Sequence, residues 1–409
     1  MIRARDSVIS LAGVLTAQLI FFLCISLIGR HSGPHALGSF NSTLAAGMFI
    51  GTLLGLRFEL ACVSDDPRQA FSAYVNVVAL SLVLFVTLEV VALASGCANY
   101  LTVGLFAFAF FLQQASSFYL NSLRRYGWIT LSRVGINLAF LVAIFIRPRV
   151  PVLSATSDFG IYTVLNLLAS LFNTTVIFRN GIRADYLLRL SREFFLTNRR
   201  FAKYILPSTL CGSVLTYSLA IVFPLWFGPM NAGYFAAAYR LGFFPVSLIG
   251  QSLGGVFRRD ALSAVASSKS NSESELTRVY RTYARALALL SVAYLAGGLL
   301  LFSPLVALLF GPQWNSAADY FRRLAPLFAL QLVYVPLSQI FLVRKQQRTD
   351  FLFQLQSGVT LIGALGACRL LNLASQNSVL IFSITGALTT LFGLALTKRV
   401  ARDRPTALT

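Results

Sequence analysis

Twelve apolar blocks, each about the length that crosses a bilayer as a helix, constrain this chain more than any other feature. They lie at roughly 7–29, 42–63, 71–95, 99–121, 129–147, 158–178, 204–226, 231–256, 283–310, 325–343, 350–370 and 376–397. About 20 apolar residues in a helix span a hydrocarbon core of ~30 Å, and only a helix or a closed barrel satisfies its own backbone there. The expected fold is therefore an all-α polytopic membrane protein. Composition agrees, with 56% hydrophobic and 12% charged residues and a mean hydropathy of +0.72. Soluble domains carry about 25% charged residues. The first block is too long for a signal-peptide core and no clear cleavage site follows it, so it is expected to remain as a span.

The formal charge of +20 would suit nucleic acid if it were gathered on one soluble face. Its placement points elsewhere. With a cytoplasmic N-terminus, only Arg30, Arg147, Arg149, Arg322, Arg323 and Arg369 fall in outer connections. Arg57, Arg133 and Arg240 lie inside predicted spans, and every other Lys and Arg falls on the inner side. By the positive-inside rule both termini are expected in the cytoplasm, and the basic excess reflects topology and contact with anionic lipid. No nucleic-acid partner is expected.

The outer connections are short. The largest inner connection, residues 179–204, is RNGIRADYLLRLSREFFLTNRRFAKY. Tyr186, Leu187, Leu190, Phe194 and Phe195 alternate with basic residues, the pattern of an amphipathic helix lying on the membrane surface. This gives an expected division into a six-helix lobe over 1–182, a basic linker over 183–203 and a second six-helix lobe over 204–409. The halves share an outer Gly-Pro turn, IGRHSGPHALGSF from Ile28 and WFGPMNAGYF from Trp226. Internal duplication of this kind is frequent in transporters. FGPQW (Phe310 to Trp314) is a further turn of the type.

Charges and polar stripes inside spans mark candidate sites, because a mid-membrane charge costs several kcal/mol and faces a partner or a wet cavity. In FIGTLLGLRFELACV, Arg57 and Glu59 stand two residues apart, about 200° around a helix, so a helical second span keeps them from pairing. Each then either pairs with a neighbouring helix, with Arg57 snorkelling, or faces a cavity. In the eighth span Gly233, Ala237, Arg240, Phe244, Ser247, Gln251 and Gly254 form one stripe beside Pro245. No residue within a turn of Arg240 is acidic. Thr130, Arg133 and Asn137, then Asn166, Ser170 and Asn173, then Gln331, Tyr334 and Ser338 repeat the pattern in the fifth, sixth and tenth spans. Each stripe suits interhelical hydrogen bonding or a lumen. Three arginines favour an anionic passenger, since guanidinium binds phosphate oxygens bidentately and keeps its proton. Glu59 and Glu89 are the candidates for carrying a coupling proton or sodium ion, or for neutralising an arginine.

Other chemistry is weakly signalled. The five cysteines form no CxxC pair, and His31 and His35 have no third ligand near them, so neither a disulfide framework nor a metal site is expected. No phosphate-binding loop or Ser/His/Asp set stands in a plausible context, and nothing marks an enzyme or a cofactor.

Several stretches together resemble the polysaccharide-transporter (Wzx-type, O-antigen flippase) family of the MOP exporter superfamily. They are LGLRFELA (Leu54 to Ala61), the basic linker, residues 231–261 through the eighth span, and LLFGPQWNSAADYFRRLAP (Leu308 to Pro326), with the twelve-span count. The resemblance implies a MATE-like fold, with two six-helix lobes around a central cationic cavity that opens alternately to either membrane face. It implies a passenger of oligosaccharide on polyprenyl diphosphate, a bacterial inner-membrane location, a role in O-antigen or exopolysaccharide assembly, and other assembly proteins as possible partners. A multidrug exporter of the superfamily shares the fold but is expected to have an acid-rich or aromatic lumen. A glycan polymerase or ligase is expected to have a long outer loop.

Overall fold

The computed structural model describes residues 4–64, 66–97, 100–184, 186, 190–266 and 272–402, which contain helices and turns and no strand. Ten helical stretches among them are long and apolar enough to cross a membrane. The first, α1 (Ala4–Leu53), is two helices joined at Gly33, where φ 79° and ψ −179° break the helix ahead of Pro34. Its apolar part of 42 residues would run ~63 Å at ~1.5 Å per residue, twice a bilayer core. It therefore supplies the first two predicted spans. α2 (Pro67–Ala94), α3 (Leu101–Ser122), α4 (Tyr126–Ile146), the short α5 (Pro151–Ala155) and α6 (Asp158–Arg183) follow. After α7 (Arg192–Thr197) come α8 (Leu206–Phe227), α9 (Pro229–Ala266), α10 (Ser272–Phe310), α11 (Asn315–Leu337), α12 (Ile340–Val343), α13 (Gln347–Leu370) and α14 (Ser375–Arg402). α8 is the predicted seventh span, with several side chains outside the described set.

By packing, the chain forms two units, Met1–Val222 and Phe223–Thr409. In the first, Gly47 and Gly51 bring α1 against Phe106, Ala107 and Phe110 of α3, and Gly55, in the turn after α1, meets Phe111. Small residues let membrane helices approach closely and gain van der Waals contact, the main attraction available where lipid is as apolar as leucine. In the second unit, Gly242 meets Phe321 and Phe328 of α11, and Gly250 meets Val335.

The two halves repeat one another in backbone detail. Gly33 and Gly228 both take positive φ, 79° and 84°, directly before a proline that begins a helix. Arg124 and Lys345 take φ of 57° and 56° at the ends of α3 and α12. In each, the next residue donates its N–H to the carbonyl five back, Arg125 to Leu120 and Gln346 to Phe341. This is a helix-terminating motif that glycine usually fills. The duplication expected from the Gly-Pro turns thus extends to turns that carry no common sequence.

Two expectations are corrected. The second span ends at Leu53 rather than near residue 63, because Leu56 and Arg57 turn into left-handed conformations and a 3-10 turn, Phe58–Cys62, follows. The linker is no continuous surface helix. Among its described residues beyond Arg183, where α6 ends, only Arg192–Thr197 is α-helical, capped by Ser191, with a wider turn at Phe201–Ile205. Phe195 packs edge-on to Phe58 at 5.2 Å, Phe194 lies 6.1 Å from Phe58, and Tyr186 lies 5.7 Å from Phe71. Tyr186, Phe194 and Phe195 are partly buried by these contacts, while Leu190 is exposed and Leu187 lies outside the described residues.

Candidate functional site

A cavity of about 680 Å³ opens inside the first unit, lined from five helices. α4 presents Tyr126, Ile129, Arg133, Ile136 and Asn137 at steps of three, four and one, which is one face of a helix. α3 contributes Phe110, Gln113, Gln114, Ser117, Phe118 and Asn121, again on one side. α1 adds Gln18, Phe21, Met48 and Thr52, α6 adds Tyr162 and Asn166, and α8 adds Tyr217.

Among the described residues, Arg133 is the one charged residue in this lining. It has no ion pair or hydrogen bond among the described residues. The other polar groups are amides and hydroxyls. Asn137 is held by its Nδ2, which donates to the Ala17 carbonyl at 2.9 Å and ties α4 to α1. The Asn166 Nδ2 donates to the Tyr162 carbonyl at 2.8 Å, and both residues line the cavity. The Gln114 Oε1 is buried with no hydrogen-bond partner among the described residues, a cost of about 1–3 kcal/mol unless something occupies the cavity. Aromatic faces of Phe21, Phe110, Tyr126 and Tyr162 complete the wall. The arrangement offers a guanidinium for an anion, amides for polar groups and rings for apolar surface.

Of the residues singled out in the sequence, the cavity gathers Arg133, Asn137 and Asn166. Asn173 is occupied elsewhere: its Oδ1 accepts from the Trp128 Nε1 at 3.1 Å and its Nδ2 donates to Ser132 at 2.7 Å. Arg57 lines no part of it. The Arg57 Nη1 donates to the Glu59 Oε1 at 2.9 Å, so these two residues do pair with each other. The helical geometry that seemed to forbid this is absent, because the chain leaves the helix at Leu53. Glu59 is 1% exposed, and its Oε2 lies beside Gly55 without a hydrogen bond among the described residues. Glu89 stands on α2 against Gly104 of α3, its Oε1 also without a partner among the described residues.

In the second unit, Arg240 is half-buried on α9. The Ser247 hydroxyl donates to the Phe244 carbonyl of its own helix at 2.9 Å. The Gln251 side chain lies outside the described residues. The Gln331 Oε1 and the Tyr334 hydroxyl are buried and unsatisfied among the described residues, with Tyr334 packed on Phe353 at 5.6 Å.

Sequence reasoning missed Gln113, Gln114 and Asn121. The signal was present, since the run FFLQQASSFYLNS puts two adjacent amides inside an apolar block and Asn121 lies seven residues from Gln114 on the same face. Gln18 and Tyr217 carry no such signal, because neither span holds another amide or any charged residue to set a stripe with them.

A model of the polysaccharide biosynthesis protein family matches residues 63–319, well over half of the chain. The chain belongs to this family. Solved structures show what fold the family member adopts. The lipid II flippase MurJ in an inward closed conformation superposes with a TM-score of 0.75 at 12% identity, covering 96% of this chain and 87% of that one. An inward-facing multidrug resistance MATE family transporter of the MOP superfamily gives 0.73 at 17% identity, covering 96% of each chain. A MOP superfamily transporter from Pyrococcus furiosus, described with a binding pocket of reverse polarity, gives 0.56 at 18% identity over 98% and 95% of the chains. At such identities the likeness is one of fold. The expected MATE-like, multi-pass, all-α architecture is the one present. No curated protein matches the chain in sequence.

Proposed function

We propose that this protein is a flippase that moves polyprenyl-diphosphate-linked oligosaccharide across the bacterial inner membrane, by alternating access, for surface polysaccharide assembly. One observation carries the reading: among the described residues, the first-unit cavity holds a single unpaired arginine and no carboxylate, set among amides and aromatic rings. Arg133 is suited to the diphosphate, because a charge-assisted bidentate bond is the strongest polar contact a side chain offers. Asn137, Asn166, Gln113 and Gln114 are suited to sugar hydroxyls, and Tyr126 and Tyr162 to sugar faces. Membership of a polysaccharide biosynthesis family and a fold shared with a lipid II flippase support it.

Arg240 is assigned a phosphate-binding role in the second unit, and transport is coupled to a proton or sodium gradient through Glu59 or Glu89. The multidrug reading is disfavoured, since a cationic drug gains nothing from a wall whose one charge is positive. Deleting the gene and assaying the sidedness of lipid-linked oligosaccharide tests the proposal. Accumulation on the inner leaflet supports it. Normal translocation with unpolymerised glycan contradicts it and supports an enzyme.

A further inference from the structure

A second cavity lies wholly within the second unit, between α10, α11 and α14, with a volume of about 590 Å³. Its floor is apolar: Ala284, Ala288, Val333, Leu337 and Leu394. Its polar rim is cationic. Arg281 and Arg285 stand one turn apart on α10, and Lys398 and Arg402 stand one turn apart on α14. No carboxylate lines it, and none of the four cations has an ion pair or hydrogen bond among the described residues. All four are exposed.

The groove is built rather than incidental. The buried Tyr280 hydroxyl bonds the Thr397 hydroxyl at 2.8 Å, and the Thr277 hydroxyl donates to the Ala401 carbonyl at 3.5 Å. These bonds fix the spacing of α10 and α14, so the two pairs of cations face one opening. Four like charges brought together repel, and among the described residues no carboxylate lines the groove beside them. The residues below them are short enough to admit a hydrocarbon chain between the helices.

We propose that this groove is a binding site for an anionic phospholipid, with the headgroup phosphate against Arg281, Arg285, Lys398 and Arg402 and an acyl chain over Ala284 and Ala288. Basic pockets between membrane helices on the side rich in Lys and Arg recognise anionic headgroups, and a zwitterionic lipid gains far less there. The site uses none of the residues that line the first-unit cavity, so it stands whether or not the flippase reading holds.

The test uses the purified full-length protein in detergent, incubated with equal amounts of phosphatidylglycerol and phosphatidylcholine and read by native mass spectrometry. Phosphatidylglycerol is expected to be retained over phosphatidylcholine by on the order of tenfold. The combined variant Arg281→Ala, Arg285→Ala, Lys398→Ala, Arg402→Ala is expected to lose that preference. A variant that removes as many cations elsewhere, Arg258→Ala, Arg259→Ala, Arg322→Ala, Arg323→Ala, is expected to keep it. Ala284→Trp, which leaves every charge in place and fills the floor, is expected to lower retention of both lipids. Equal retention of the two lipids by the wild type overturns the proposal, as does an undiminished preference in the first combined variant. Retention of added polyprenyl diphosphate with phosphatidylglycerol no better held than phosphatidylcholine also overturns it, by assigning the groove to a lipid diphosphate.

Discussion

The Arg57 Nη1 lies 2.9 Å from the Glu59 Oε1, although only one residue separates them. A left-handed turn at Leu56 and Arg57, with φ of 46° and 67°, brings the two side chains to the same side. Arg57 is 15% exposed and Glu59 1%, so the pair is largely withdrawn from solvent. Removing one partner of such a pair strands the other at a cost of about 3–5 kcal/mol, whereas replacing both is much milder. Arg57→Ala should therefore lower the unfolding midpoint and the abundance of the protein. Arg57→Ala combined with Glu59→Gln should recover most of both, as read by thermal unfolding in detergent.

Glu59→Gln alone separates structure from coupling. If the carboxylate carries a coupling ion, transport by the variant, compared at equal amounts of protein, no longer responds to the ion gradient. Gradient-dependent transport at the wild-type level by Glu59→Gln assigns the residue to the ion pair alone. The same comparison applies to Glu89→Gln on α2.

This pair also shows where the sequence was legible. Block length and the positions of Lys and Arg are enough to find the spans, because a bilayer imposes one length and one set of backbone rules on every helix. The Gly-Pro turns announce the duplication. Residues 54–57 announce nothing. Leucine and arginine rarely take positive φ, and what holds them there is the packing of Gly55 on Phe111 and of Phe58 on the linker aromatics Phe194 and Phe195. Those contacts join segments far apart in the chain. The α4 face of the cavity was readable from Arg133 and Asn137, which share a helix. The meeting of that face with Gln114 of α3 depends on how the helices pack, which periodicity within one span does not encode.

Gly33 combines φ 79° with ψ −179°, a region that is essentially reserved for glycine. Nothing lies within 4 Å of where its Cβ would be, so substitution meets backbone strain and no clash. Gly33→Ala should destabilise the protein by about 1–3 kcal/mol through conformation alone. Thermal unfolding of the purified variant measures this.

Gly51 is the opposite case. A Cβ there would sit 2.8 Å from the Ala107 carbonyl oxygen and 2.8 Å from a ring carbon of Phe110, and a backbone oxygen does not yield as a side chain does. Gly51→Ala should push α1 from α3 at a cost of about 1–3 kcal/mol. Phe110 also lines the cavity, so transport should fall with stability. Gly363, with nothing within 4 Å of its Cβ position, should accept alanine without loss and serves as the control.

Arg133 is proposed above to bind the charged part of a lipid-linked sugar. The direct measurement is translocation of a polyprenyl-diphosphate oligosaccharide in vesicles reconstituted with wild-type, Arg133→Ala or Arg133→Lys protein at matched incorporation. Losing a hydrogen bond to a charged group costs about 1.5–3 kcal/mol, which is roughly a 10- to 150-fold weakening. Arg133→Ala should thus translocate at least about tenfold more slowly at limiting substrate. Arg133→Lys should recover part of the rate, since lysine restores the charge without the bidentate fork. Translocation by Arg133→Ala at the wild-type rate would contradict the account.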